Sequence, residues 1–408
     1  MPAPSPAPAT GNRHGSEAFA WTVTSTRIVR LRTQTGQESV VRARIRLPDG
    51  RLGRAQTISR GRGIVRSPQI GVDESGNATA VWTQAGLHFS IMAAFRPHGK
   101  TFGAPVELGR SRHFVDARPA LAVGRFGDAV VAWNEGRSVR VVRRGPSRCL
   151  PQRARACFSV PISLAPGADQ AVAIGPLGSA YVVWAAMVRT GDDVHTRLRM
   201  AVLRRGGRSL GSEHFLSDAG DASQPALAVQ PDGSAAVAWR ASLPAGGEQD
   251  NPAPIMAVTS SPAAVLAPPQ SVSTAPGRLP QLRVNGQGEA VMAWNQVDPT
   301  PGNPDGPQVA IAIRPAGGAA FGRPALLSPP GVEATGASLA VDAPGNAYLL
   351  YGAGGQVAVT QVRPPGSVFG PPSTLPSAFA GGSLLAAGAR ITAISAFAAR
   401  TSVSDWTP

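Results

Sequence analysis

Three sets of side chains in this 408-residue chain are of types that do chemistry. The first is acidic and sits in three segments of unequal length, "AAMVRTGDDVHT", "RASLPAGGEQDNP" and "NQVDPTPGNPDGPQ". They carry Asp192, Asp193, His195, Glu248, Asp250, Asp298 and Asp305, which are candidate ligand-binding residues. Two carboxylates held about 5–10 Å apart can act as acid and base or nucleophile on a glycosidic bond, and oxygen-rich loops can hold calcium. The segments contain no calcium-loop spacing, and solvated acidic loops explain them equally well. The second set is a recurring arginine at Arg46, Arg96, Arg143, Arg204, Arg314 and Arg363, with Thr259 where a further copy would fall. A row of guanidinium groups can grip phosphate or carboxylate in a bidentate way, so these six are polyanion-binding candidates. A solvated turn residue would look the same. The third set is Cys149 and Cys157, eight positions apart in "CLPQRARAC". They can close a disulfide loop in an oxidising compartment or stay as thiols, and C-x7-C is no usual zinc spacing.

Other chemistries leave little trace. The six histidines show no HExxH spacing, and there is no G-x-S-x-G elbow or phosphate-binding P-loop. No cofactor and no metal are expected. The net charge of +15 is unevenly placed. Residues 1–210 hold 31 basic and 12 acidic side chains (+19), and residues 211–408 hold 8 and 12 (−4). A basic half suits a polyanionic partner, but aromatic residues are only 5% of the chain, so nucleic-acid binding by base stacking is not expected. No uncharged apolar run of 18 residues exists to span a membrane.

The elements that must position these side chains are repeats. A glycine stands six residues before an aromatic seven times: Gly15 and Trp21, Gly76 and Trp82, Gly127 and Trp133, Gly178 and Trp184, Gly233 and Trp239, Gly288 and Trp294, Gly345 and Tyr351. Alanine follows the glycine by two in six copies, as in "DGSAAVAW" and "FGDAVVAW". An aliphatic residue precedes it by four in the same six. A second motif of the form "FRPHGKTFGAPVEL" or "IRPAGGAAFGRPALL" comes after the aromatic. Each unit thus reads as an apolar strand, a glycine turn, a strand ending at the aromatic, a variable loop, a third strand, a second turn and a short fourth strand. The seven aromatics are expected in the core between units, with each indole N–H needing a partner.

Four short strands every fifty-odd residues resemble the repeats of WD-repeat and TolB-type β-propellers, and "LAVQPDGSAAVAW" is close to their "PDG" turn style. The WD dipeptide and the sialidase-type Asp-box are absent, so the resemblance implies architecture alone. It implies an all-β fold: a single β-propeller of seven four-stranded blades, the ring closed by the C-terminal segment pairing with the first blade. An eight-bladed ring with a reduced last blade is the alternative. The expected layout is a Pro/Ala-rich spacer at 1–14, a propeller at 15–397 and a tail at 398–408. Blades fall near 15–61 with 381–397, then 66–110, 117–165, 168–217, 222–274, 279–329 and 335–377. The functional expectation is a secreted or envelope-associated monomer that binds protein or polysaccharide. A glycosidase- or lyase-like enzyme using the loop carboxylates is the first rival, and a polyanion binder using the basic half is the second.

Overall fold

The computed structural model describes residues 9–31, 35–61, 63–86, 88–111, 118–145, 157–207, 210–211, 213–217, 220–242, 253–262, 265–273, 275–297, 307–329, 332–354, 357–378, 382–387, 390–397 and 400–406. They form an all-β structure of consecutive antiparallel units. Unit one comprises Ala9–Gly11, Glu17–Arg30, Thr35–Arg46 and Gln56–Thr57, and unit two Ile64–Val72, Ala78–Ala85, Phe89–Arg96 and Val106–Ser111. Unit three comprises Ala120–Val123, Ala129–Glu135 and Ser138–Arg144, and unit four comprises Ile162–Ile174, Ala180–Thr190, Asp193–Leu203 and His214–Phe215; unit five begins at Asp221–Val229, unit six at Gly277–Val284 and unit seven at Ala334–Val341, each of these last three with four strands in chain order. Among the described residues these are followed by a three-stranded unit eight, Gly382–Ala387, Arg390–Phe397 and Arg400–Trp406.

The repeated glycine turns the first strand of a unit into the second. Gly76, Gly127, Gly178, Gly233, Gly288 and Gly345 have φ between +78° and +100°, where a Cβ would clash with the backbone. The strand that follows is almost wholly buried, as in Ala129–Glu135 and Ala290–Gln296. Its aromatic packs back onto the preceding unit. Trp82 lies with Val41, Ala43 and Ile45 of unit one, Trp184 with Val130 and Ala132 of unit three, and Trp294 with Ala236, Ala238 and Ile255 of unit five. Trp82, Trp133, Trp184, Trp239, Trp294 and Tyr351 are at most 2% exposed, while Trp21 is only half-buried. The indole N–H of Trp82 donates to Gln84 Oε1 at 3.3 Å. Those of Trp133, Trp184 and Trp294 have no acceptor among the described residues, so apolar contact rather than hydrogen bonding holds these rings.

Several sequence expectations change. The C-terminal segment does not pair with unit one; it forms its own sheet and meets its neighbours through side chains. Leu384 and Ile391 pack with Tyr348 and Leu350 of unit seven, and Leu385 packs with Phe19 and Trp21 of unit one. The seam to unit one also carries a buried charge: Thr392 Oγ1 donates to Glu17 Oε1 at 3.0 Å and accepts from Arg46 Nη1 at 3.2 Å. The expected spacer supplies the strand Ala9–Gly11, and the expected tail supplies Arg400–Trp406. The last unit is absent from the glycine-to-aromatic count because Ile394 stands where the other copies carry an aromatic. Units three and four are one seven-stranded sheet, because Ile162–Ile174 pairs first with Ser138–Arg144 and then with Ala180–Thr190.

The first, inner strand of units two and four to seven contains a bulge. The bulged residues Ser67, Asp169, Gln224, Leu279 and Gly336 all have φ between +50° and +68°. Successive bulges are hydrogen-bonded: Gln224 N–H to Asp169 Oδ2 at 3.3 Å, Leu279 N–H to Gln224 Oε1 at 2.8 Å, and Leu339 N–H to Gln281 Oε1 at 3.1 Å. The inner strands therefore stand side by side.

Candidate functional site

Strand pairing gives the register of the repeats residue by residue, and one seam stands out. Opposite the recurring alanine, at the end of each third strand, lie Arg96, Arg144, Leu203, Ser260, Arg314 and Arg363 in units two to seven. Arg46 faces Glu17 in unit one. The preceding position holds Ile45, Phe95, Arg143, Val202, Thr259, Ile313 and Val362. The sequence alignment of Arg143, Arg204 and Thr259 with Arg96 is thus one residue out of phase. The true counterparts are Arg144, Leu203 and Ser260.

The register explains where the arginines go. Each holds its own unit's glycine turn or a neighbouring carboxylate. Arg96 Nη1 donates to Gly76 O at 3.3 Å, Arg144 Nη2 to Gly127 O at 2.8 Å, and Arg314 Nη2 to Gly288 O at 3.3 Å. Arg363 grips both oxygens of Glu289 at 2.6 and 2.9 Å. Arg143, on the other face of its strand, crosses to unit four and donates to Gly178 O at 2.6 Å and Arg204 O at 2.7 Å, with Asp128 Oδ2 3.3 Å away. Arg46, Arg143, Arg314 and Arg363 are buried, Arg96 is half-buried and Arg204 is exposed. The expected cationic rim is therefore mostly taken up as internal staples. Arg144, missed in the sequence, stacks on Phe95 at 4.2 Å from the ring centre, and burial lowers its pKa to about 10 despite Asp73 and Asp128.

In unit five both positions are small and polar: Ser260 stands where units one to four, six and seven carry arginine or leucine, and Thr259 stands where unit three carries the seam-crossing Arg143. The Gly233 carbonyl, lacking an arginine, accepts instead from the Tyr181 hydroxyl of unit four at 2.7 Å. The space not filled by Thr259 is a cavity of about 280 Å³ between units five and six. It is lined by Gln230, Asp232, Ser234, Thr259, Ser260, Gln287, Gly288 and Arg314, among others. A volume near the lower end of the roughly 300–1,000 Å³ spanned by ligand pockets suits one small polar molecule or one ring of a larger one.

The polar groups are prearranged. Asp232 Oδ1 accepts from the Ser234 hydroxyl at 2.7 Å and its N–H at 2.8 Å. The Ser234 hydroxyl, then its N–H, hold the Asp232 pKa below the usual carboxylate value. Its second oxygen is left for a ligand hydroxyl. Arg314 is 4% exposed and bonded through Nη1 to Gly318 O at 2.7 Å, but its Nε has no partner among the described residues. Burial lowers its pKa and Asp232 raises it. A carboxylate facing a guanidinium, with amides and hydroxyls between, matches vicinal hydroxyl groups, which donate to one and accept from the other.

The acidic candidates are not gathered in this way. Asp192 and Asp193 are exposed at the tip of the long hairpin Ala180–Thr190 and Asp193–Leu203, with His195 half-buried three pairs down from the turn. Glu248, Asp250, Asp298 and Asp305 lie outside the described residues. Among the described residues no three His, Cys, Asp or Glu side chains come together as metal ligands. Cys157 is disulfide-bonded, and Cys149 lies outside the described residues. Among the described residues no helix is long and apolar enough to cross a membrane.

Neither a protein-family model nor a curated protein matches the sequence. The fold is similar to that of solved structures at low identity. The BP39L lectin from Burkholderia pseudomallei aligns with a TM-score of 0.57 at 13% identity, covering 91% of this chain and 99% of that one. The β-propeller domain of the Trilobed protease from Pyrococcus furiosus aligns at 0.48 and 8% identity, covering 84% and 95%. The polysaccharide lyase Uly1 aligns at 0.46 and 7% identity, covering 90% and 89%. The chain is all-β, and the WD-repeat and TolB resemblance stays at the level of repeat style.

Proposed function

We propose that the chain is a propeller of eight units acting as a carbohydrate-binding module, and that the cavity between units five and six holds a neutral sugar ring. The reading rests on one observation: the third strand of unit five ends in two small hydroxyl residues, Thr259 and Ser260, where units one to four, six and seven end in arginine or leucine, and the opening beside them brings Asp232, Gln230, Gln287 and Arg314 around a single small volume. Asp232 accepts from ligand hydroxyls, the amides of Gln230 and Gln287 donate to the ring's oxygens beside the positive charge of Arg314, and no nucleophile or paired carboxylate is needed. The likeness to a lectin supports the fold for such a role. The packing of unit eight between units seven and one supports a ring joined by side chains. The disulfide at Cys157 favours a secreted or envelope location, where such bonds persist.

The test is a glycan array followed by calorimetry with the best neutral oligosaccharide. Asp232→Ala should weaken binding at least tenfold, about 1.4 kcal/mol, with an unchanged melting temperature. Thr259→Arg, which rebuilds the bulk found at Arg143, should abolish it. Undiminished affinity in both variants would overturn the assignment.

A further inference from the structure

A second feature lies away from the cavity, on the inner strands. The residue just before the strand-ending aliphatic is Gly71, Ala122, Ala173, Ala228 and Ala340 in units two, three, four, five and seven. In unit six it is Arg283. At Gly71 a Cβ would run into Val123 and Leu121 of the next inner strand, so this position faces the seam where inner strands adjoin. Small residues are what such crowding selects. An arginine here needs another reason.

The inner strands are half-exposed along Ala120–Val123 and along the last five residues of Ile162–Ile174, so water reaches the space they border. The bulge-to-bulge hydrogen bonds place successive strands around that common space. Arg283 is exposed to it, yet surrounding protein desolvates the guanidinium and lowers its pKa. The first strands touch in turn from unit one to unit eight and back to unit one, so they border one enclosed space, and Arg283 is on their exposed side. Its bond among the described residues is from Nη1 to the carbonyl of neighbouring Leu282 at 2.9 Å, and no carboxylate pairs with it there. A desolvated cation without a counter-charge is costly, and a bound anion removes that cost.

We propose that the space bordered by the inner strands is an anion site in which Arg283 binds a carboxylate or phosphate oxyanion. The site is independent of the sugar cavity. Four sister units carry alanine at this position, so Arg283→Ala keeps the local packing and makes a clean variant. The experiment measures the thermal midpoint of the full chain with inorganic phosphate and, separately, with glucuronate, for wild type and Arg283→Ala. The wild type should be stabilised by at least one probe, with apparent affinity at least tenfold weaker in Arg283→Ala. Without anion the variant should melt at the same temperature or higher, since an uncompensated charge has been removed. The probe giving the larger shift separates a phosphate ligand from an acidic sugar. Equal shifts in both proteins, no shift with either probe, or an anion-free variant that melts lower would overturn the proposal. Thr259→Arg should leave the anion response intact, so failure of one site is distinguishable from failure of the other.

Discussion

The seam between units three and four and the seam between units five and six are built from the same parts and end differently at one rim. In both, a tryptophan of the later unit (Trp184, Trp294) is buried against alanines and branched residues of the earlier one. In both, a third-strand residue at matching register points across the rim. Arg143 fills its seam, donates to two carbonyls and faces Asp128. Thr259 leaves its seam open. The repeat therefore tolerates a hole at its edge because the aromatic layer beneath already holds adjacent units together. The open edge comes from omitting a filler rather than adding a motif.

This comparison can be broken in order of effect. Trp184→Ala and Trp294→Ala should each cost about 3–5 kcal/mol in chemical denaturation, as large aromatic deletions do. A clear inequality between them would show that the two layers are not equivalent. Arg143→Thr imitates the open seam but strands buried Asp128, so a loss of roughly 3 kcal/mol or more is expected, the cost of breaking a buried pair. Arg143→Thr with Asp128→Asn should recover a good part of it. At high pH the three tyrosines report packing at the other seams, Tyr181 between units four and five, Tyr351 between units six and seven and Tyr348 between units seven and eight, and all three pKa values are raised. Burial dominates in each, reaching about 12 for Tyr348, with help from its bond to Asp342, and for Tyr351. A raised folded-state pKa means this stability is complete below about pH 10, the ordinary tyrosine value, and is lost as pH rises through about 12 for Tyr348 and Tyr351. Tyrosinate absorbance should therefore lag behind that of the unfolded chain. The smallest effect concerns Leu279, at φ +53° and 59% exposed beside the open seam. Leu279→Gly should relieve a left-handed penalty and change stability by no more than about 1 kcal/mol.

The glycine-to-aromatic spacing made most units readable, because a positive-φ turn and a buried ring each demand a narrow set of residues. Register was harder. In "VVRRGP" two adjacent arginines compete for one position, and composition cannot say that Arg144 rather than Arg143 opposes Ala129. Unit eight was legible only as the reduced-blade alternative, because its second strand carries Ile394 where an aromatic is expected. The cavity could not be read as a motif at all. Thr259 was visible as an interruption in the arginine series, but an interruption becomes a space only when the strands on both sides are paired correctly. The acidic loops drew attention through their side-chain types, whereas Gln230, Gln287 and Ser260 look like ordinary turn residues.

The strand Ile162–Ile174 belongs to two units at once. Pulled from its ends, such a chain cannot release units three and four one after the other, since their main-chain bonds run through a single segment. They should rupture together as a double-length step on an extension trace. The terminal three-stranded sheet, tied to unit one by side chains, would peel away first.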